Sequence, residues 1–319
     1  MVSSMVTKNV VVMAVSLIVF FIAGAGPAFA QAAPQEVQVG LYVLNLGKFD
    51  ITSGAFTADF YLSLKCSDAS GNPAECAPGT PDNFEFMNGR AESTDKIIDE
   101  PGEKFYRIQA SLNSPVDLRK FPFDSQRMQI RMEDKEATTG KLVYIPNNKE
   151  SGIDGSIFFT GWNIDGWEAA IKMHEYKVYG ENYSQYVFTV DISRIAVSSF
   201  MKTFLPVFFI ILVVVFTFVL DPGNVITRIT VAGSSLVAAV MFHISIANQI
   251  PAVGYLTLAD KFMIVTYLIL LVSIFVDILI IEFAGRKRND IVDKIHRSTE
   301  YSVFFVVPLL YAVLFLFFV

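Results

Sequence analysis

The chain has 319 residues, 53% of them apolar, 13% aromatic and only 18% charged, with a mean hydropathy of +0.46. Soluble domains carry about 25% charged residues, so this composition excludes a wholly soluble enzyme, and its apolar content excludes a disordered chain. A net charge of −6 excludes nucleic-acid binding through a basic surface.

Charge divides the chain into three parts. Residues 1–30 hold one charge, Lys8, ahead of the apolar run from Val10 to Ala25, and Ala28-Phe29-Ala30 offers a small-x-small cleavage pattern. This predicts a signal peptide over 1–30, cut after Ala30. The competing reading is a first transmembrane helix, but Gly24, Gly26 and Pro27 interrupt it where a span would continue. Residues 31–199 carry 16 Lys+Arg against 24 Asp+Glu, and residues 200–319 carry 8 against 7. An acidic, water-facing half is thus followed by a half made mostly for membrane.

In the acidic half, strands are predicted at Val37–Leu46, Ala55–Leu64, Phe105–Leu112, Arg127–Met132, Ile157–Trp162, Trp167–His174 and Tyr186–Ile195. These runs alternate, or are rich in β-branched and aromatic residues. Turn clusters such as Thr52-Ser53-Gly54, Gly71-Asn72-Pro73 and Pro146-Asn147-Asn148 separate them. Many short strands without a 3.6-residue period predict a β-sandwich over 31–199. Cys66 and Cys76 flank a Ser, Asp, Gly, Asn and Pro-rich turn. In an oxidising compartment they suit a disulfide, and otherwise they are two free thiols. No His lies nearby to make them a metal site.

The second half predicts four spans over about 200–220, 225–248, 262–283 and 302–319, each long enough for roughly 30 Å of hydrocarbon at about 1.5 Å per residue. The second span is unusually polar. Thr230, Ser234, Val237, Met241, Ile244 and Asn248 recur at helical spacing and share one face, hydroxylated at its start and apolar in its middle. Such a face suits a water-filled pore in which Val237, Met241 and Ile244 form a gate that closes by dewetting. It also suits ordinary internal packing, with the hydroxyls bonded to their own backbone. His243 lies off this stripe and is expected to bond to a neighbouring helix, and Asp277 in the third span needs a partner or water. Arg286, Lys287, Arg288, Lys294 and Arg297 make the last link cytoplasmic by the positive-inside rule. The sandwich and the C-terminus are then outside, which agrees with the predicted leader.

The most specific motif is Phe121-Pro122-Phe123-Asp124-Ser125-Gln126. With Ser193-Arg194 before the first span, Leu205-Pro206 inside it and Ile250-Pro251 after the second, the chain resembles the pentameric ligand-gated ion channels (the Cys-loop receptor superfamily). The bracketing cysteines of the eukaryotic loop are absent, Gln129 standing near one of those positions, so the resemblance is to the prokaryotic members. It implies an extracellular β-sandwich followed by a four-helix transmembrane bundle, in a homopentamer around a central pore. Thr230, Ser234, Val237, Met241 and Ile244 match the family's pore-facing positions. Arg228 matches a basic residue at the membrane boundary, pointing away from the conduction axis. Asp50, Asp124 and Arg194 match positions that cluster above the membrane and couple the two halves, with Pro251 and Tyr255 in the link that passes motion to the pore helix. As plain sequence, these three charges could equally be solvated surface groups.

Two regions resemble the family's agonist loops: the one around Phe86, and the hairpin holding Tyr176, Tyr179 and Tyr183. With Glu133 or Glu175 nearby, these aromatics could hold an organic cation. They could also simply pack an edge of the sandwich, and protons are an alternative agonist. The acidic outer domain favours cation over anion selectivity, although neither of the family's usual selectivity patterns precedes Arg228. The expected partners are further copies of the chain, membrane lipid, permeant inorganic ions and an agonist, with no cofactor, metal or nucleic acid. No P-loop, GxSxG, HExxH or CxxC supports an enzyme. A membrane-tethered binding module without conductance is the reading from another class, and it leaves the stripe unexplained.

Overall fold

The structure, a computed structural model, describes residues 33–68 and 71–318, so the predicted leader at 1–30 lies outside the described residues. Ten strands come first: β1 (Gln35–Leu46), β2 (Ala55–Ser67), β3 (Phe84–Phe86), β4 (Gly89–Glu100), β5 (Glu103–Asn113), β6 (Ser125–Asp134), β7 (Leu142–Pro146), β8 (Gly152–Ile153), β9 (Trp162–Tyr176) and β10 (Glu181–Arg194). Five helices follow: α1 (Ala196–Thr203), α2 (Leu205–Thr217), α3 (Val225–Ala247), α4 (Leu258–Gly285) and α5 (Asn289–Phe318).

The strands form two sheets. One runs β4-β5-β2-β1-β7 with β8 also on β1, and the other runs β3-β6-β10-β9. Strand alternation explains the sandwich between them. Val37, Val39, Leu41 and Val43 of β1, Phe60, Leu62 and Leu64 of β2, Ile108 and Leu112 of β5, and Phe188, Val190 and Ile192 of β10 all turn into one core. A disulfide joins Cys66 to Cys76. It closes the loop beside the β4–β5 turn, where Cys66 N donates to Gly102 O and Cys76 N to Pro101 O.

Two predicted elements differ. Ile157–Trp162 is not a strand but a loop that ends where β9 begins. Asp154 caps it by accepting from Ser156 N at 2.8 Å, Gly161 adopts φ +87°, and Phe159 and Trp162 anchor the loop in the core instead of alternating. The first span is not one helix over 200–220. It is the pair α1 and α2, bent by 43°, with Pro206 in the first turn of α2. Proline has no N–H to continue the ladder, and its ring crowds the preceding turn. Among the described residues, three helices, α3 to α5, are individually long and apolar enough to cross a membrane, and a fourth span exists if the bent pair counts as one. Helix α5 begins at Asn289, well before the span expected from 302. Helix α4 opens with a capping box: Thr257 accepts from Asp260 N, and Asp260 accepts from Thr257 N.

Candidate functional site

Three groups of residues hold chemistry. The first is the stripe on α3. Its buried face consists of Val225, Arg228, Ala232, Ser235, Ala239 and Ile246. Thr230, Ser234, Val237, Met241, Ile244 and Asn248 lie on the opposite face and are all exposed, Val237 at 64% and Met241 at 63%. Thr230 Oγ1 donates to Ile226 O at 2.8 Å and Ser234 Oγ to Thr230 O at 2.9 Å. Each hydroxyl thus spends its one proton on the helix and leaves its lone pairs as acceptors.

The second group joins sandwich to helices. Asp124 Oδ1 accepts from Arg194 Nε at 2.6 Å, and Asp124 Oδ2 accepts from Gln126 Nε2 at 2.7 Å. The Arg194 guanidinium also lies 4.5 Å from the Trp162 ring centre and 5.1 Å from that of Phe121. Leu258 N and Ala259 N, at the start of α4, donate to Arg119 O and Phe121 O. Tyr255 Oη accepts from Leu118 N at 2.9 Å. Pro251 is half-buried between Ile250 and Val253, which pack on Leu118, Phe121 and Ile246. Asp50 does not join this cluster. Its carboxylate accepts from Ser53 Oγ and Thr52 N within its own exposed turn, and those two hydrogen bonds hold its pKa below the usual range. The turn instead reaches the Phe121-Pro122 loop through the apolar side chain of Ile51.

The third group is a small cup of about 170 Å³ at the β9–β10 hairpin, lined by Glu85, Glu133, Asp134, Tyr176, Tyr179 and Tyr183, with Lys135 and Glu181 at its edge. Glu133 is buried on β6 and accepts from Gln185 Nε2 and, at 3.1 Å, from Tyr176 Oη. His174 Nδ1 lies 2.6 Å from Glu133 Oε1. Burial and Glu133 push the Tyr176 hydroxyl up to about 12, so it remains a donor. Asp134 Oδ1 caps the next turn by accepting from Glu136 N and Ala137 N, while its buried Oδ2 has no hydrogen-bond partner. Phe86 is not part of the cup. Strand alternation turns it into the core against Phe60, and its neighbour Glu85 faces the cavity. His174 and Gln185 escaped sequence reasoning because each gains its role only through the β6–β10–β9 register.

No protein-family model matches the chain. It is 25% identical over 259 residues to a proton-gated ion channel of Gloeobacter violaceus, covering 76% of this chain and 71% of that protein. It is 26% identical over 206 residues to pH-sensitive chloride channel 2 of Drosophila melanogaster, covering 62% of this chain and 39% of that one. Both relatives are ion channels by name, and the similarity to them agrees with the resemblance to the pentameric ligand-gated ion channels. Similarity to two ion channels supports a membrane channel rather than an enzyme.

Arg228, expected at the membrane boundary and pointing away from the conduction axis, lies in the first turn of α3 on its buried face. It is wholly enclosed, with Nη2 2.8 Å from Asp277 Oδ1 on α4 and its guanidinium 4.3 Å from the Phe218 ring centre. That contact meets the need of Asp277 for a partner within the span. His243 also bonds to α4, through Tyr267 Oη at 2.8 Å and Asp260 Oδ1 at 3.0 Å.

Proposed function

We propose that five copies of this chain surround a cation-conducting pore lined by α3, opened by protons acting on a sandwich outside the cell membrane. In this reading residues 1–30 are a removed leader, 31–199 form the extracellular domain and 200–319 the membrane domain. The observation that carries it is the α3 stripe. On α3 the bare Val237, Met241 and Ile244 lie in line with two hydroxyls and Asn248, and a ring of five turns that face to a shared axis. The three apolar residues are the dewetting gate. The spent hydroxyl protons favour cations, since only lone pairs remain to face an ion. The acidic sandwich, repeated five times, concentrates cations at the entrance. The fly relative, a chloride channel by name, makes anion conduction the competing outcome.

The His174–Glu133 contact is the proton site of this reading. Histidine changes charge in the range of about pH 5 to 8. A proton on His174 converts its hydrogen bond to the Glu133 carboxylate into an ion pair and draws the β9–β10 hairpin onto β6. One observation favours a second ligand, an organic ammonium: Asp134 Oδ2 is buried and unpaired beside three tyrosines. Purified protein in planar bilayers tests both. Currents are expected to grow as sandwich-side pH falls from about 8 to 5, and to lose that dependence in His174→Gln. Reversal potentials in asymmetric NaCl should follow sodium, and a shift toward the chloride potential rejects the selectivity. Val237→Ser is expected to raise the open probability without stimulus, because a wetter belt loses its barrier. Unchanged gating in Val237→Ser and Met241→Ser would remove the belt as gate.

A further inference from the structure

The end of the helix bundle far from the sandwich holds the third histidine contact. The C-terminal turn of α3 packs through Ile246 on Leu118 and Phe121, so Arg228, near its other end, lies at the distal base. There Val225 of α3, Ile280 of α4 and Val292 of α5 close an apolar cluster. Arg228 Nη1 is 3.2 Å from His296 Nδ1 on α5.

We infer that His296 is a proton-operated latch: neutral, it accepts from Arg228 and holds the start of α5 to α3 and α4, and protonated, it lets go. The chemistry of the contact fixes the sign. A guanidinium only donates, so the ring nitrogen facing it must offer a lone pair, and the ring proton sits on Nε2. A second proton can enter only at Nδ1. The contact then becomes donor against donor and cation against cation, with one carboxylate, Asp277, for two positive charges.

Among the described residues, no carboxylate other than Asp277 forms an ion pair or hydrogen bond with Arg228 or His296. On α3 the facing charge is Arg228, and on α4 it is Asp277, flanked by the apolar Val276 and Ile280. At the end of the first span the neighbour is the Phe218 ring. Asp221, in the turn before α3, is exposed and caps Gly223 N, and Glu282 pairs with Arg286. On α5 itself, Lys294 and Arg297 are exposed cations, while Asp293 and Glu300 stand three residues before and four after His296. That spacing puts both acids on its side of the helix. They offer a protonated imidazole a place to turn once it leaves Arg228.

This extends the reading above, whose stimulus arrives on the sandwich side. Only the compartment from which the latch takes its proton, the cytoplasm, depends on that reading. The test uses full-length protein in detergent. Thermal midpoints of wild type and His296→Gln, whose amide oxygen still accepts from Arg228, should agree at about pH 8. At about pH 5.5 wild type should melt about 2–4 °C below the variant, the shift of one lost contact in a chain this size. His296→Lys, a fixed cation, should melt low at both pH values. A wild-type minus His296→Gln difference that is the same at both pH values overturns the latch, as does a His296→Lys protein as stable as wild type. In bilayers, acidifying only the distal side should reversibly lower the current evoked from the sandwich side in wild type and not in His296→Gln. Equal responses in both would also overturn it. If neither protein conducts under any stimulus, the channel assignment fails, and the melting comparison still judges the latch.

Discussion

Asp277→Ala is expected to destabilise the channel by about 3–5 kcal/mol, enough to leave little folded protein. Arg228 and Asp277 are both completely buried among the helices. Removing the carboxylate leaves a guanidinium with only the Phe218 ring and His296 for company. Charge rather than hydrogen-bond geometry holds the pair, since Arg228 Nη2 and both Asp277 oxygens are without a well-aligned hydrogen bond. A pair held this way repays its own desolvation poorly. The double replacement Arg228→Met with Asp277→Leu should therefore recover most of the loss. Thermal unfolding and the yield of assembled protein check both statements. A stable Asp277→Ala protein would show that the arginine finds another anion or is not buried.

The pair also marks where sequence reasoning stops. Asp277 signalled a problem, as a charge inside an apolar span, and Arg228 was expected at the membrane boundary, but their partnership depends on how α3 and α4 cross, which no local pattern encodes. The α3 stripe was legible because helical periodicity is a one-dimensional property. All six residues that the spacing selects are exposed, although the exposed surface of α3 also takes in Ile226, Ala238 and Val240. The strands of the core were legible for the same reason. Strand β4 was not, because Gly89–Glu100 is an edge strand with hardly a buried residue, and alternation cannot appear where neither face meets a core. Asp50 failed differently. Its position in the β1–β2 turn was read correctly, but a short carboxylate followed by Thr52 and Ser53 satisfies itself locally before it can reach Arg194. Phe86 was exchanged for Glu85 by a one-residue error of face, which in a strand reverses inside and outside.

Asp124→Ala is expected to separate stimulus from pore. Asp124 is buried, Arg194 nearly so, and together they tie the Phe121-Pro122 loop to the end of β10, from which the chain passes directly into α1. The same loop accepts from the first two backbone amides of α4. This joint is therefore a direct route by which movement of the sandwich reaches the helices. Removing the carboxylate leaves Arg194 stacked on Trp162 and Phe121 with no counter-charge, at a cost of about 3–5 kcal/mol. Arg194→Lys should do nearly as much damage, because an ammonium keeps the charge but loses the flat ring contacts and the fork. The consequence for gating is a channel that assembles poorly and responds weakly to sandwich-side acid. Loss of response alone could mean loss of folding, so the informative protein is Asp124→Ala combined with Val237→Ser. If the joint transmits and the α3 belt gates, the double variant conducts without stimulus yet no longer answers to pH. A double variant that still tracks sandwich-side pH would mean that movement reaches α3 by another route.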